Sequence, residues 1–174
     1  RLGFAARLWW LMKSLGYRPP RLLNGGYQGY LATGGPIEQE VPAAPDAVVP
    51  LEAAFADLCD IQGLRRLQAA GATLVDSREE RRYQGLEEPI DPVAGHIPGA
   101  LNRPWQGVTD EQGRVAAQEA LRAHWGELLD TEQPLVVYCG SGVTACVNLF
   151  SLALLGCDDG TLYAGSWSDW CSYL

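Results

Sequence analysis

The run Pro134-Leu-Val-Val-Tyr-Cys139-Gly-Ser-Gly-Val-Thr144-Ala145 constrains the fold of this chain more than any other stretch. A continuous apolar segment entered through proline reads as a strand covered on both faces. It ends on a cysteine, turns through two glycines, and runs into Ala145–Leu155, an apolar helix. Strand, tight turn and helix in that order belong to a parallel sheet. The other signals agree. Ala72–Asp76 and Thr161–Tyr163 read as short buried strands and Ala100–Asn102 as a brief one. Helical periodicity covers Leu51–Leu58, Leu64–Ala70 with Gly71 as its stop, Val115–Leu129 and Ser166–Tyr173, and the charged stretch Ser77–Tyr83 reads as a short helix. Gly85–Gly99, with Pro89, Pro92 and Pro98 among three glycines, is a long irregular loop. The expectation is an α/β fold, a parallel sheet with helices on both faces, with chemistry at the carboxyl ends of the strands.

A repeat organises the chain as a whole. Ala5–Tyr30 aligns with Ala145–Trp170 at a constant offset of 140 residues: Leu15-Gly16 meets Leu155-Gly156, Leu22 meets Leu162, Gly25 meets Gly165, and Tyr27 and Tyr30 meet Trp167 and Trp170. Each copy reads as helix, short apolar strand, glycine turn and aromatic helix. A tandem parent is implied. Residues 1–35 would be the C-terminal segment of a preceding homologous domain, 36–50 a linker carrying Pro36, Pro42, Pro45 and Pro50, and 51–174 the second domain. Trp9, Trp10 and Leu11 would then present an apolar face unless it docks on the second domain, on another chain, or on the missing part of the first domain.

Composition excludes several classes. Thirteen basic against 21 acidic residues give a net charge of −8, without the basic stripe of a nucleic-acid binder. No apolar run reaches the roughly 18 residues of a membrane span. Five cysteines, an odd number with no CxxC pair, argue against a disulfide framework and against a metal site, and for a reducing compartment such as the cytoplasm. The stretch Leu2–Leu11 lacks the small-residue cleavage site of a leader peptide.

The chemistry concentrates at Cys139. Gly140 and Gly142 permit backbone angles that let successive N–H groups curl toward one point, and the following helix N-terminus adds to the same field. Such a cradle favours an ionised sulfur and hence a nucleophile; Ser141 and Thr144 add hydroxyls. A structural cysteine ending a strand is the plainer alternative. A cysteine phosphatase would need an arginine closing the loop, where Ala145 stands.

Cys139–Ala145 (CGSGVTA) resembles the active-site loop of rhodanese-type sulfurtransferases, in particular the mercaptopyruvate branch. Leu74-Val-Asp-Ser-Arg78, Arg82-Tyr-Gln-Gly85, Gly95-His-Ile-Pro-Gly-Ala-Leu-Asn102 and Leu162-Tyr-Ala-Gly-Ser-Trp167-Ser-Asp-Trp170 are similar to that family's landmarks in the same order. Residues 1–35 are similar to the end of its inactive first domain. The resemblance implies a rhodanese-like sheet and a sulfur transfer that needs no cofactor and no metal. Cys139 would take sulfur from 3-mercaptopyruvate, or from thiosulfate, and pass it to a thiol such as thioredoxin or to cyanide. Arg82 would hold the donor's anionic end by a guanidinium fork, with Gly140, Gly142, Val143 and Thr144 forming the cradle. Ser141 matches a serine that the branch combines with an Asp and a His of the first domain. Arg78 is expected to be structural and Arg81 to lie on the surface. The loop after Gly85 offers acids where the family has a second arginine. His96 is expected to stitch its loop, His124 to lie on the surface, Trp167 and Trp170 to pack in the core, and Cys146, Cys157 and Cys171 to be buried hydrophobes. A neutral loop at Gly140 and Ser141 favours mercaptopyruvate over the thiosulfate dianion. A non-catalytic sulfur-relay or interaction module is the alternative.

Overall fold

The computed structural model describes residues 2–41, 43 and 55–174. Most of the expected linker and the first part of the expected helix at Leu51–Leu58 therefore lie outside the described residues. In chain order the elements are α1 (Leu2–Ser14), α2 (Gly26–Ala32), β1 (Leu58–Cys59), α3 (Ile61–Ala69), β2 (Thr73–Asp76), α4 (Glu80–Tyr83), β3 (Leu101–Asn102), α5 (Gln118–Trp125), β4 (Leu135–Tyr138), α6 (Ala145–Leu154), β5 (Thr161–Tyr163) and α7 (Ser166–Trp170). Short 3-10 turns cover Trp105–Val108, Gly126–Leu129 and Cys171–Tyr173.

The five strands form one parallel sheet in the order β1-β5-β4-β2-β3. β4 lies at its centre, pairing Thr73 with Leu135 and Asp76 with Tyr138 on one side and Val137 with Leu162 on the other. All four of its residues are buried, as expected of an apolar run between two helical layers. Successive side chains alternate faces. Val137 and Cys139 join the core beneath α1, α5 and α6 with Trp9, Trp10, Trp125 and Leu149, whereas Val136 and Tyr138 join the one beneath α3 and α7 with Leu64, Tyr163 and Trp167. Each fully buried valine of β4 contributes about 1.5–3 kcal/mol by leaving water.

The structure corrects four boundaries. Leu58–Cys59 is an edge strand and Phe55–Asp57 is not helical. The Asp57 carbonyl accepts the Leu162 amide at 2.8 Å, which draws this stretch alongside β5. The next helix starts at Ile61 because Asp60 caps it, its carboxylate accepting the Gly63 amide at 2.7 Å. α5 begins only at Gln118, since Val115 bridges Thr109, and it stops at Gly126, whose φ is +55°. The charged helix shrinks to Glu80–Tyr83, because Ser77 extends the sheet by donating its amide to Tyr138 and the Arg78 amide bonds the Asp76 carboxylate.

Residues 2–35 give two helices and no strand. The stretch around Leu22 has no neighbouring strand to bond, and Leu22 packs on the core instead. The tryptophan face docks within the chain. α1 lies on α6, leaving Trp9 and Trp10 at 8% and 3% exposure, with Trp9 edge-on to Phe150 at 5.2 Å. The end of α1 is tied to the approach to β1, where the Ala56 amide donates to the Ser14 carbonyl at 2.8 Å.

Candidate active site

Cys139 follows the last residue of β4, is 1% exposed, and opens a loop that ends at α6. The loop conformation is fixed by where its carbonyls go. The Cys139 oxygen accepts the Trp167 amide at 2.9 Å and the Gly140 oxygen accepts the Ser168 amide at 3.0 Å, both from α7. The Gly142 oxygen accepts Nη1 of Arg7 at 3.0 Å. In a trans peptide the N–H points opposite to the C=O, so bonding these oxygens from outside turns the following amides the other way. None of the amides of Gly140, Ser141, Gly142, Val143 and Thr144 has an acceptor among the described residues. Five successive unpaired donors, followed by the N-terminus of α6, make a concentrated positive dipole field beside a sulfur.

Gly142 is the tight point. Its φ is +74°, and a β-carbon there would stand 2.6 Å from the Ala164 carbonyl oxygen. Only glycine fits. The Cys139 amide itself donates to Ser166 Oγ at 3.1 Å, and that hydroxyl donates in turn to the Tyr163 carbonyl. Ser166 and the amides of α7 belong to a motif visible in the sequence, but their bonds to the cysteine loop are a tertiary fact.

Arg82 lies beside the loop: a β-carbon on Gly140 would lie 3.4 Å from its Nη1. Its fork, however, is engaged. Nε and Nη2 donate to Glu88 at 3.2 and 2.6 Å, and Nη2 also lies 3.5 Å from Asp91. The acids of the loop after Gly85 thus fold back onto Arg82, so that it offers the cradle one edge, Nη1, rather than two parallel donors. Glu88, with a side chain 3% exposed, also accepts Nη1 of Arg78 and the amides of Ile90 and Asp91. Burial works against its charge, but the Arg82 hydrogen bond and those two amides outweigh it and hold the carboxyl below its ordinary value.

Arg78 is structural, as expected. Buried beside Asp76, it donates to that carboxylate at 2.7 Å and to the Gly95 carbonyl at 2.6 Å, and its guanidinium lies 4.8 Å from the Trp167 ring. Arg81 pairs with Glu87 on the surface. His96 stitches its loop, stacked on Tyr83 with Nδ1 2.7 Å from the Tyr83 carbonyl.

Ser141 is exposed on the rim, and its hydroxyl has no partner among the described residues. Val143 and Thr144 face Gly3 of α1. His124 is not a surface residue: its ring packs on Gly107, and burial foremost, with Arg103 nearby, holds its pKa down. Cys146, Cys59 and Cys171 are buried, while Cys157 and Trp170 are half-buried. Burial pushes the Cys146 thiol up to about 11, although Arg7 pulls against the shift.

No group of three or more His, Cys, Asp or Glu among the described residues could hold a metal ion. No described helix is long and apolar enough to cross a membrane. A cleft of about 350 Å³ between Leu2, Ala5, Leu22 and Trp105 has no titratable side chain in its lining, where Thr109 and Gln112 are the polar groups.

Comparison with known proteins agrees with this architecture. The chain is 40% identical to a probable 3-mercaptopyruvate sulfurtransferase of Pseudomonas aeruginosa, covering 97% of this chain and 61% of that protein. It is 37% identical to the thiosulfate sulfurtransferase of Cricetulus griseus, covering 96% and 58%. It thus spans about three-fifths of the length of these relatives. Among solved structures, 3-mercaptopyruvate sulfurtransferase from Leishmania major superposes with a TM-score of 0.78 at 30% identity, over 97% of this chain and 48% of that one. The family model described as a rhodanese-like domain matches residues 61–173, which hold strands β2 to β5, the cysteine loop and the Arg82 network. By that match, this chain belongs to the rhodanese-like domain family.

Proposed function

We propose that the protein transfers sulfane sulfur from 3-mercaptopyruvate, through a persulfide on Cys139, to a thiol acceptor such as thioredoxin. The observation that carries this reading is the run of unpaired amides from Gly140 to Thr144 following a cysteine at the end of the central strand. In the first half-reaction the Cys139 thiolate attacks the donor sulfur. The sulfur–carbon bond breaks, its electron pair stays on carbon as the enolate of pyruvate, and a proton completes pyruvate. Cys139 now carries the outer sulfur, and the loop amides stabilise the charge before and after transfer. In the second half-reaction an acceptor thiolate, or cyanide, takes the outer sulfur and returns the Cys139 thiolate. Such a covalent intermediate implies ping-pong kinetics.

Two features favour a singly charged donor over thiosulfate. Gly140 and Ser141 carry no charge, and Arg82 has one free edge because Glu88 occupies the other. Residues 1–35 are read as the end of a preceding homologous domain whose remaining part completes the protein, and the free thiols suit a reducing compartment such as the cytoplasm. The second reading is a sulfur relay loaded by another enzyme, favoured by the lack of an acid–base partner for Ser141 among the described residues.

The test is donor turnover and the mass of Cys139 peptides in wild type and Cys139→Ser. Wild type gains one sulfur atom with mercaptopyruvate and the variant gains none. Equal turnover in both refutes the reading. A persulfide formed only from a second enzyme's persulfide selects the relay.

A further inference from the structure

Helix α1 is apolar along most of its length, yet Arg7 interrupts it where it packs against the cysteine loop. The side chain is half-buried and forms no ion pair among the described residues. Withdrawing a guanidinium from water without a carboxylate is costly unless other acceptors compensate. Arg7 has three contacts: the Gly142 carbonyl at 3.0 Å, the Cys146 sulfur at 3.7 Å, and the Trp10 ring at 5.2 Å from its centre. One turn earlier, a β-carbon on Gly3 would lie 3.8 Å from both Val143 and Thr144. The helix is seated on the loop itself.

The loop carbonyls of Cys139 and Gly140 are held by backbone amides of α7. The Gly142 carbonyl is held by a side chain from residues 1–35. Without Arg7 its remaining partner is the Cys146 thiol at 3.4 Å, a weak donor. The peptide between Gly142 and Val143 could then rotate, since glycine tolerates the change.

We propose that Arg7 is a positioning residue for the Cys139 loop. Its hydrogen bond holds the Gly142 carbonyl outward, keeping the Val143 amide in the cradle, and its unpaired charge adds to the field around the reacting sulfur. The proposal rests on the sulfur-transfer reading, and it makes the N-terminal segment part of the working site.

The experiment compares Arg7→Met and Arg7→Lys with wild type in the whole chain. Rapid-quench mass spectrometry follows persulfide formation on Cys139 from mercaptopyruvate. Peptide mapping follows iodoacetamide labelling of every cysteine, and thermal unfolding reports the fold. Arg7→Met is expected to slow the persulfide step about tenfold, as for loss of one charged hydrogen bond. KM should stay within about twofold, because the donor does not touch Arg7. Labelling of Cys139 should slow while that of Cys59 and Cys171, which Arg7 does not touch, is unchanged, and Arg7→Lys should keep most of the rate.

A persulfide step within about twofold of wild type in Arg7→Met overturns the proposal. So does faster labelling of all buried cysteines with no rescue by lysine, which marks a merely structural arginine. If Arg7→Met does not fold, Arg7→Gln takes its place under the same criteria. Should wild type form no persulfide with any donor, the sulfur-transfer reading fails by itself. Unchanged Cys139 labelling in Arg7→Met would then separately overturn the role of Arg7.

Discussion

Replacing Gly142 with alanine tests the cradle where it is tightest. Two costs add. A left-handed backbone costs a residue with a β-carbon about 1–2 kcal/mol, and φ at this position is +74°. The new methyl would also stand 2.6 Å from the Ala164 carbonyl oxygen and 3.1 Å from its Cα, both backbone atoms of the segment between β5 and α7. Relieving such overpacking costs about 1–3 kcal/mol more. The sum is near 3 kcal/mol, which for a chain of this size lowers the melting temperature by about 10 °C. Gly156→Ala is the matched control. Its φ is +88° with nothing within 4 Å of the added carbon, so only the backbone cost applies, about 1–2 kcal/mol. Thermal unfolding of both variants isolates the clash, and donor turnover reads its effect on chemistry. If the segment shifts to admit the methyl, the stability difference narrows but the carbonyl bonds from α7 move and turnover falls. A Gly142→Ala protein that melts no lower than Gly156→Ala and turns over at the wild-type rate refutes the argument.

Glu88→Gln leaves Arg78 and Arg82 without their shared carboxylate and should destabilise the protein by about 3 kcal/mol, the scale of breaking a buried pair. Because the folded carboxyl is held below its ordinary value, that stabilisation is present above the unfolded value of about 4.3 and is lost as pH falls through the folded one. Melting curves should therefore separate wild type from the variant at pH 7 and converge in acid; a gap that persists there contradicts the assignment. Trp9→Ala should cost about 3–5 kcal/mol in urea unfolding, since it removes a buried indole between α1 and α6, whereas a loss under about 1 kcal/mol would mean that the N-terminal segment is not integral to the folded unit.

The elements legible in the sequence are those whose signal is local. β4, β2 and β5 are apolar runs bounded by proline, glycine or charge, and α6 follows its glycine turn. β1 was hidden because a two-residue edge strand carries no periodicity; the Leu162 amide on the Asp57 carbonyl decides it. The strand expected near Leu22 failed for the complementary reason, since an apolar run without a neighbour to bond stays irregular. At the site, glycine spacing located the Cys139 loop, but it could not assign the partners of that loop. The pairing of Arg82 with Glu88 depends on residues 86–91 folding back. The Arg7–Gly142 bond crosses 135 positions of sequence, and its only signal was a charge interrupting an apolar helix. His124, a polar residue in a charged stretch, looks solvent-facing in the sequence, but its ring lies against Gly107 in the fold.

On the proposed reading a chain of net charge −8 receives an anion, and it must do so by short-range forces. At physiological ionic strength the repulsion from distant carboxylates is screened over about 8 Å. Peptide dipoles fall off faster still, but inside a loop that excludes water they act at contact distance and need no reorganisation. The nearby acids do not cancel this field, because Glu88 and Asp91 are turned onto Arg82 and Arg78, where their charge is neutralised. What remains at the loop is a run of amides without acceptors among the described residues and one unpaired guanidinium edge of Arg82 beside Gly140. It is the arrangement on which the proposed preference for a singly charged donor rests. It also explains why the loop can stay free of lysine and arginine: the positive potential is built from backbone whose carbonyls are anchored elsewhere.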